Sequence, residues 1–186
     1  MSNASTYLSS GGAAIKSVQR GTISSTAHPA TATVTAVDTT RSVIRITDLV
    51  AGLYGVYYGA RVVLTNSTTV SMLNAMGSAL MGAAVTAGWE LVEYAVPIKS
   101  IQQVVVTMAS KAQGNFVDAA ITAIDLSKTI VEFRGYSGGG ENNEANTTGR
   151  MLRGYLTSST NLRVVNRASA ITPSGLLGYF TIVEFF

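Results

Sequence analysis

The chain carries one histidine, ten carboxylates and no cysteine, and these residues bound the chemistry open to it. A Ser–His–Asp relay needs an imidazole as its base, and the one candidate is His28, in Thr26-Ala-His-Pro-Ala30. It stands beside Pro29 in a predicted loop, with no nucleophile elbow in the chain, so an exposed turn residue is expected there. The absence of cysteine excludes disulfides and cysteine-based metal sites. Glycoside hydrolysis would need two acids across a cleft. Asp38 and Asp125, and Glu93 and Glu184, instead recur at corresponding places in two similar halves, which points to service of the fold.

One loop is rich in polar atoms: Ser137-Gly-Gly-Gly-Glu-Asn-Asn-Glu-Ala-Asn-Thr-Thr-Gly149. A phosphate-binding loop needs Gly-Lys followed by Ser or Thr, but Arg150 and Met151 follow Gly149. Glu141, Asn142, Glu144 and Asn146 offer oxygen ligands, but their spacing fits no calcium loop. The expectation is an exposed loop, with Glu141, Asn142, Asn143 and Glu144 as its candidate binding residues. No catalytic, cofactor-binding or metal-ligating set is expected, and the chain reads as a non-enzyme. Asn66-Ser-Thr68 and Asn146-Thr-Thr148 fit the glycosylation pattern, but a chain so rich in Asn, Ser and Thr meets it by coincidence.

The net charge is +3, and the thirteen basic residues are scattered. No short window is densely basic, and no aromatic residues interleave with arginine to make a stacking platform. Nucleic-acid binding is not expected. About half of the residues are apolar (47%) and few are charged (12%), which excludes a disordered chain. So few charges also suit a surface partly covered by other subunits. Residues 1–12 lack the basic and apolar regions of a signal peptide and read as a polar arm ending in Gly11-Gly12.

An internal repeat organises the rest. Ile15-Lys-Ser-Val-Gln19 recurs as Ile98-Lys-Ser-Ile-Gln102, and Ala32-Thr-Val-Thr-Ala-Val-Asp38 as Ala119-Ala-Ile-Thr-Ala-Ile-Asp125. Arg41-Ser-Val-Ile-Arg-Ile46 matches Lys128-Thr-Ile-Val-Glu-Phe133, and Leu64-Thr-Asn-Ser-Thr68 matches Leu156-Thr-Ser-Ser-Thr160. Trp89-Glu-Leu-Val-Glu-Tyr94 matches Phe180-Thr-Ile-Val-Glu-Phe185. Block order is kept, and the offsets run only from 83 to 92 residues. Two copies follow, 13–95 and 96–186, with Val96-Pro97 at the join.

The matched blocks alternate with period two and are rich in β-branched residues, the mark of half-buried strands. Ala32, Val34 and Ala36 are expected on one face and the threonines on the other; Ile44 and Ile46 should share a face. Asp38-Thr39-Thr40 and Asp125-Leu126-Ser127 suit hairpin turns, since Asp bonds its own following backbone. Each copy then gives about six strands. The predicted class is all-β: two tandem homologous β-sandwich or small β-barrel domains.

Val62 to Trp89 holds no charge and includes Met72, Met76, Leu80 and Met81. A membrane helix is one reading of such a run. The corresponding stretch of copy two holds Arg163, Arg167 and Pro173, which argues against a span. One or two strands and a buried loop or short helix are expected. Met72, Met76, Leu80 and Met81 are the candidate subunit interface, because methionine adapts to partners. Tyr54, Tyr57, Tyr58, Tyr136 and Tyr155 form a candidate carbohydrate-stacking set, or else pack at a rim.

Ile15-Lys-Ser-Val-Gln-Arg-Gly-Thr22, Val34-Thr-Ala-Val-Asp38 and Ile182-Val-Glu-Phe185 resemble modules of tailed-bacteriophage virion proteins. The resemblance covers most of each copy; copy two departs from it at Gln103-Val104, where copy one has Arg20-Gly21. It implies small β-sandwiches of the kind found in tail-fibre, tail-tip and head-decoration proteins. It implies a structural role as a homo-oligomer, with a trimer favoured, bound to other virion proteins after assembly in the host cytoplasm. The tail or tail fibre is the first expectation, capsid decoration the second, and a carbohydrate- or receptor-binding module the third.

Overall fold

A computed structural model describes residues 15–27, 29–51, 59–73, 84–108, 114–137, 152–166 and 176–186. Among these the chain is all-β, as its alternation predicts. The first half supplies β1 (Ile15–Ser25), β2 (Ala30–Thr33), β3 (Ser42–Ala51), β4 (Arg61–Asn66), β5 (Thr69–Leu73) and β6 (Val85–Tyr94). The second supplies β7 (Ile98–Met108), β8 (Phe116–Ala120), β9 (Thr129–Ser137), β10 (Leu152–Ser158), β11 (Asn161–Asn166) and β12 (Leu176–Phe185).

The pairing repeats strand for strand. β6 lies between β1 and β3, as β12 lies between β7 and β9. β5 lies between β2 and β4, as β11 lies between β8 and β10. Even the irregularities recur. A bulge falls between Ile46 and Asp48 opposite Trp89 and Gly88, and its counterpart falls between Phe133 and Gly135 opposite Phe180 and Tyr179. A bulge keeps its place only when the residues around it need that local twist, so its recurrence shows one pattern written twice.

Each half buries its own apolar face. Ile23, Ile44, Val62, Val70, Met72, Ala87, Trp89 and Leu91 form one core between β1-β6-β3 and β2-β5-β4. Val106, Met108, Leu162, Val164, Phe180 and Ile182 form the other. A fully buried Val, Leu or Ile contributes about 1.5–3 kcal/mol, so the two cores supply the main driving force.

The repeated polar residues close each half. Gln19 accepts the backbone N–H of Thr35 at 2.8 Å and donates to the Thr35 carbonyl at 2.9 Å. Gln102 does the same to Thr122, at 2.8 and 3.0 Å. Each glutamine thus imitates a strand partner for a segment leaving its own sheet. The Asp turns serve a related purpose. Thr40 N–H donates to Asp38 Oδ1 at 2.9 Å, and Ser127 N–H to Asp125 Oδ1 at 2.9 Å. These turns are not hairpins, contrary to the sequence expectation, because β2 and β3 belong to different sheets, as do β8 and β9. The alternation also breaks there: Ala36 is exposed and Val37 buried, since the chain twists as it crosses.

Candidate functional site: the joint between the halves

The two halves meet in one continuous sheet, ordered β2-β5-β4-β9-β12-β7. The seam is the pairing of Arg61 on β4 with Gly135 on β9. Gly135 has a φ of +121°, and a Cβ there would stand 2.1 Å from the Ala60 carbonyl oxygen. Only glycine allows this approach. Tyr136 N–H then donates to that carbonyl at 3.2 Å. β3 packs against both β4 and β9, so the edge of the first half's outer sheet also covers the seam.

Charges gather at the joint. Glu90 accepts from Arg20 Nε at 2.6 Å and from Arg45, and Arg45 reaches Glu132 of the second half at 3.5 Å. Arg45 and Glu132 occupy corresponding positions of the repeat, so a residue pairs with its own counterpart. Burial pushes the Glu132 carboxyl up, and the Glu90 charge adds to this against the pull of Arg45. Burial would raise Glu90 as well, but the hydrogen bonds from Arg20 and Arg45 outweigh it and hold that carboxyl low. With Ile15, Val18, Val43, Val92 and Tyr94, these groups line a cleft of about 330 Å³. Tyr94 meets its counterpart Phe185 edge-on at 5.0 Å.

Arg61 stacks over Tyr179 at 4.3 Å. Beside it Arg134 is buried, 2% exposed, and its Nε has no hydrogen-bond partner. Burial, with the Arg61 charge adding, pushes the Arg134 guanidinium down to about 10. Arg134, Ser42, Gln103 and Thr181 line a second cleft, of about 210 Å³, that also spans the halves.

The residues singled out from sequence fall elsewhere. Met72 is 3% exposed and packs in the first half's own core, so its side chain is spent within the chain rather than offered to a partner. Met76, Leu80 and Met81 lie outside the described residues, as do Glu141, Asn142, Asn143 and Glu144. His28, Tyr54, Tyr57 and Tyr58 lie outside them too. Tyr155 is exposed on β10, with Arg153 5.5 Å from its ring, and Tyr136 packs against the second core. Among the described residues no three His, Asp or Glu side chains lie together, and no helix is long and apolar enough to cross a membrane.

Sequence reasoning missed the seam. Its signals were visible but ambiguous: Gly135 where copy one has Asp48, and Glu132 where it has Arg45. Both read as drift until the two halves are seen to touch there. No family model, curated protein or solved structure matches the chain.

Proposed function

We propose that this chain is a non-enzymatic structural protein of a tailed-phage particle, oligomeric and placed in the tail or its fibres. The observation that carries the reading is the joint. One six-strand unit is used twice and joined edge to edge, an arrangement that suits a building block of a larger assembly. Its carboxylates support the same reading. Glu93 and Glu184 each fasten the first and last strands of a half to that half's Asp turn. Asp118 is held by Arg163 in a two-pronged pair at 2.8 Å. Acids committed to such bonds brace strands.

Immunogold electron microscopy of the source particles tests the proposal. Label on the tail supports it. Label over the head moves the chain to capsid decoration, and no label on intact or disrupted particles removes the virion reading.

A further inference from the structure

The contact between the halves is heterologous: one half offers its β4 edge, and the other answers with β9, the counterpart of β3. Such a contact leaves two complementary surfaces unused, one at each end of the pair. On the first half these are the end of β3 and the Val18–Val92 part of the outer face of β1-β6-β3, a face whose Arg45 and Tyr94 already reach the second half. On the second half they are the β10 edge and the start of β9.

Burial follows this logic residue by residue. At the seam Arg134 is 2% exposed and Gly135 is buried, whereas their counterparts Thr47 and Asp48 on β3 are exposed. Arg61 on β4 is half-buried, whereas Arg153 on β10 is exposed. Val43 is 6% exposed at the start of β3, whereas its counterpart Ile130 is 37% exposed on β9. Val183 is fully buried, whereas Val92 is only half-buried. Ile101 is half-buried, whereas its counterpart Val18 is exposed. Core positions on β5/β11 and β6/β12 show no such split: Val70 and Met72 are as buried as Leu162 and Val164, and Leu91 as Ile182.

We infer that the free surfaces bind a second copy of this chain, β10 and Ile130 of one molecule against β3 and the Val18–Val92 face of the next. The occupant is fixed by continuity with a joint the chain already makes. Charge agrees with it. Arg61 sits opposite Gly135 inside the chain, and the corresponding intermolecular pair is Arg153 opposite Asp48, both exposed and of opposite sign. Asp48 carries the Cβ that Gly135 lacks, so the intermolecular seam is wider than the internal one. The product is a head-to-tail series, a closed ring if the rotation closes and a filament if it does not.

This inference deepens the oligomeric part of the proposed function, and it can be tested without particles. Light scattering of the purified full chain on a sizing column should give a mass well above the 19.4 kDa of one chain. Ile130→Asp, Val18→Asp and Asp48→Arg, all at exposed positions, should each weaken association about tenfold or more while strand content by circular dichroism holds. Asp48→Arg combined with Arg153→Asp should restore it. Phe116→Ser, on the far edge strand β8, should leave it unchanged. A monomeric wild type, an assembly indifferent to the three substitutions, or one equally sensitive to Phe116→Ser overturns the inference. The first two outcomes leave tail labelling open, and absent labelling leaves the mass measurement open, so the two failures are separable.

Discussion

Gly21 lies beneath the indole of Trp89. The two are cross-strand partners on β1 and β6, and a Cβ at Gly21 would stand 2.6 Å from the Trp89 Cζ2 atom. In the second half the corresponding partners are Val104 and Phe180. The smaller ring there admits a larger neighbour. Its other flank is opened by Gly154, where a Cβ would meet Phe180 at 2.5 Å. Each half has reached a filled core by its own division of volume.

Gly21→Ala should therefore destabilise the protein by about 1–3 kcal/mol, the usual cost of overpacking. Trp89→Phe should relieve most of that penalty, since the Trp89 Nε1 has no hydrogen-bond partner to lose. Urea unfolding of the four proteins in a double-mutant cycle reads the coupling. Equal cost of Gly21→Ala in both backgrounds would sink the explanation.

Glu184 is the second half's fastening. Its carboxylate accepts from Lys99 Nζ at 2.7 Å, Ser100 Oγ at 3.2 Å and the Asp125 N–H at 2.8 Å. Lys99 is half-exposed, and an exposed ion-pair partner contributes little. The backbone N–H of Asp125 loses this acceptor once the carboxylate is gone. Glu184→Ala should lower the Tm by several times the drop from Lys99→Ala. Comparable drops would show that the ion pair, and not the backbone bond, is what matters.

The all-β class and the strand number were legible because alternation, β-branched content and repetition agreed. The repeated Lys-Ser-x-Gln and the terminal Glu were legible as a pattern but not as a network, because their partner is the backbone at Thr35, Asp38, Thr122 and Asp125, which has no residue signature. The seam was illegible for a different reason. Repetition equates Arg45 with Glu132 and Asp48 with Gly135, while the contact between halves treats them differently. Symmetric sequence reasoning cannot see where symmetry is broken by an edge-to-edge joint.

Acid should unfold the protein through its tied carboxylates. Hydrogen bonds from Thr40, with Arg41 adding, hold Asp38 at about 2, and hydrogen bonds from Arg163 and Asn161 hold Asp118 at about 2. The Lys16 and Lys99 bonds hold Glu93 and Glu184 below the ordinary range. A carboxyl whose folded pKa is depressed stabilises the fold above its unfolded value and loses that contribution as pH falls through the folded value. For the two aspartates that window runs from 3.8 down to about 2. Glu132 works in the opposite sense, because burial raises it: its ionised form costs stability as pH rises above 4.5. Thermal melts from pH 7 to pH 2 should show the wild type losing stability below about pH 4. Glu132→Gln should gain stability relative to wild type at pH 7 and lose that advantage by pH 3. A constant difference across the range would show that Glu132 does not titrate at the joint.

Arg134 gives the sharpest prediction about the joint. It is buried with an unpartnered Nε, has no ion pair among the described residues, and lies near the positive charge of Arg61. Burying a charge without a counter-charge costs stability, and exchanging buried charged groups for packed apolar ones is often stabilising. The first half shows that the fold does not need a cation at this bulge, since the corresponding residue is the neutral Thr47. Arg134→Met keeps an unbranched, apolar stem, removes the charge and should raise stability by roughly 1–4 kcal/mol, with the denaturant slope unchanged. A loss of stability would mean that the polar groups lining the second cleft, Ser42, Gln103 and Thr181, offset the burial of the Arg134 charge, and would relocate the source of the joint's strength from its backbone seam to that cleft.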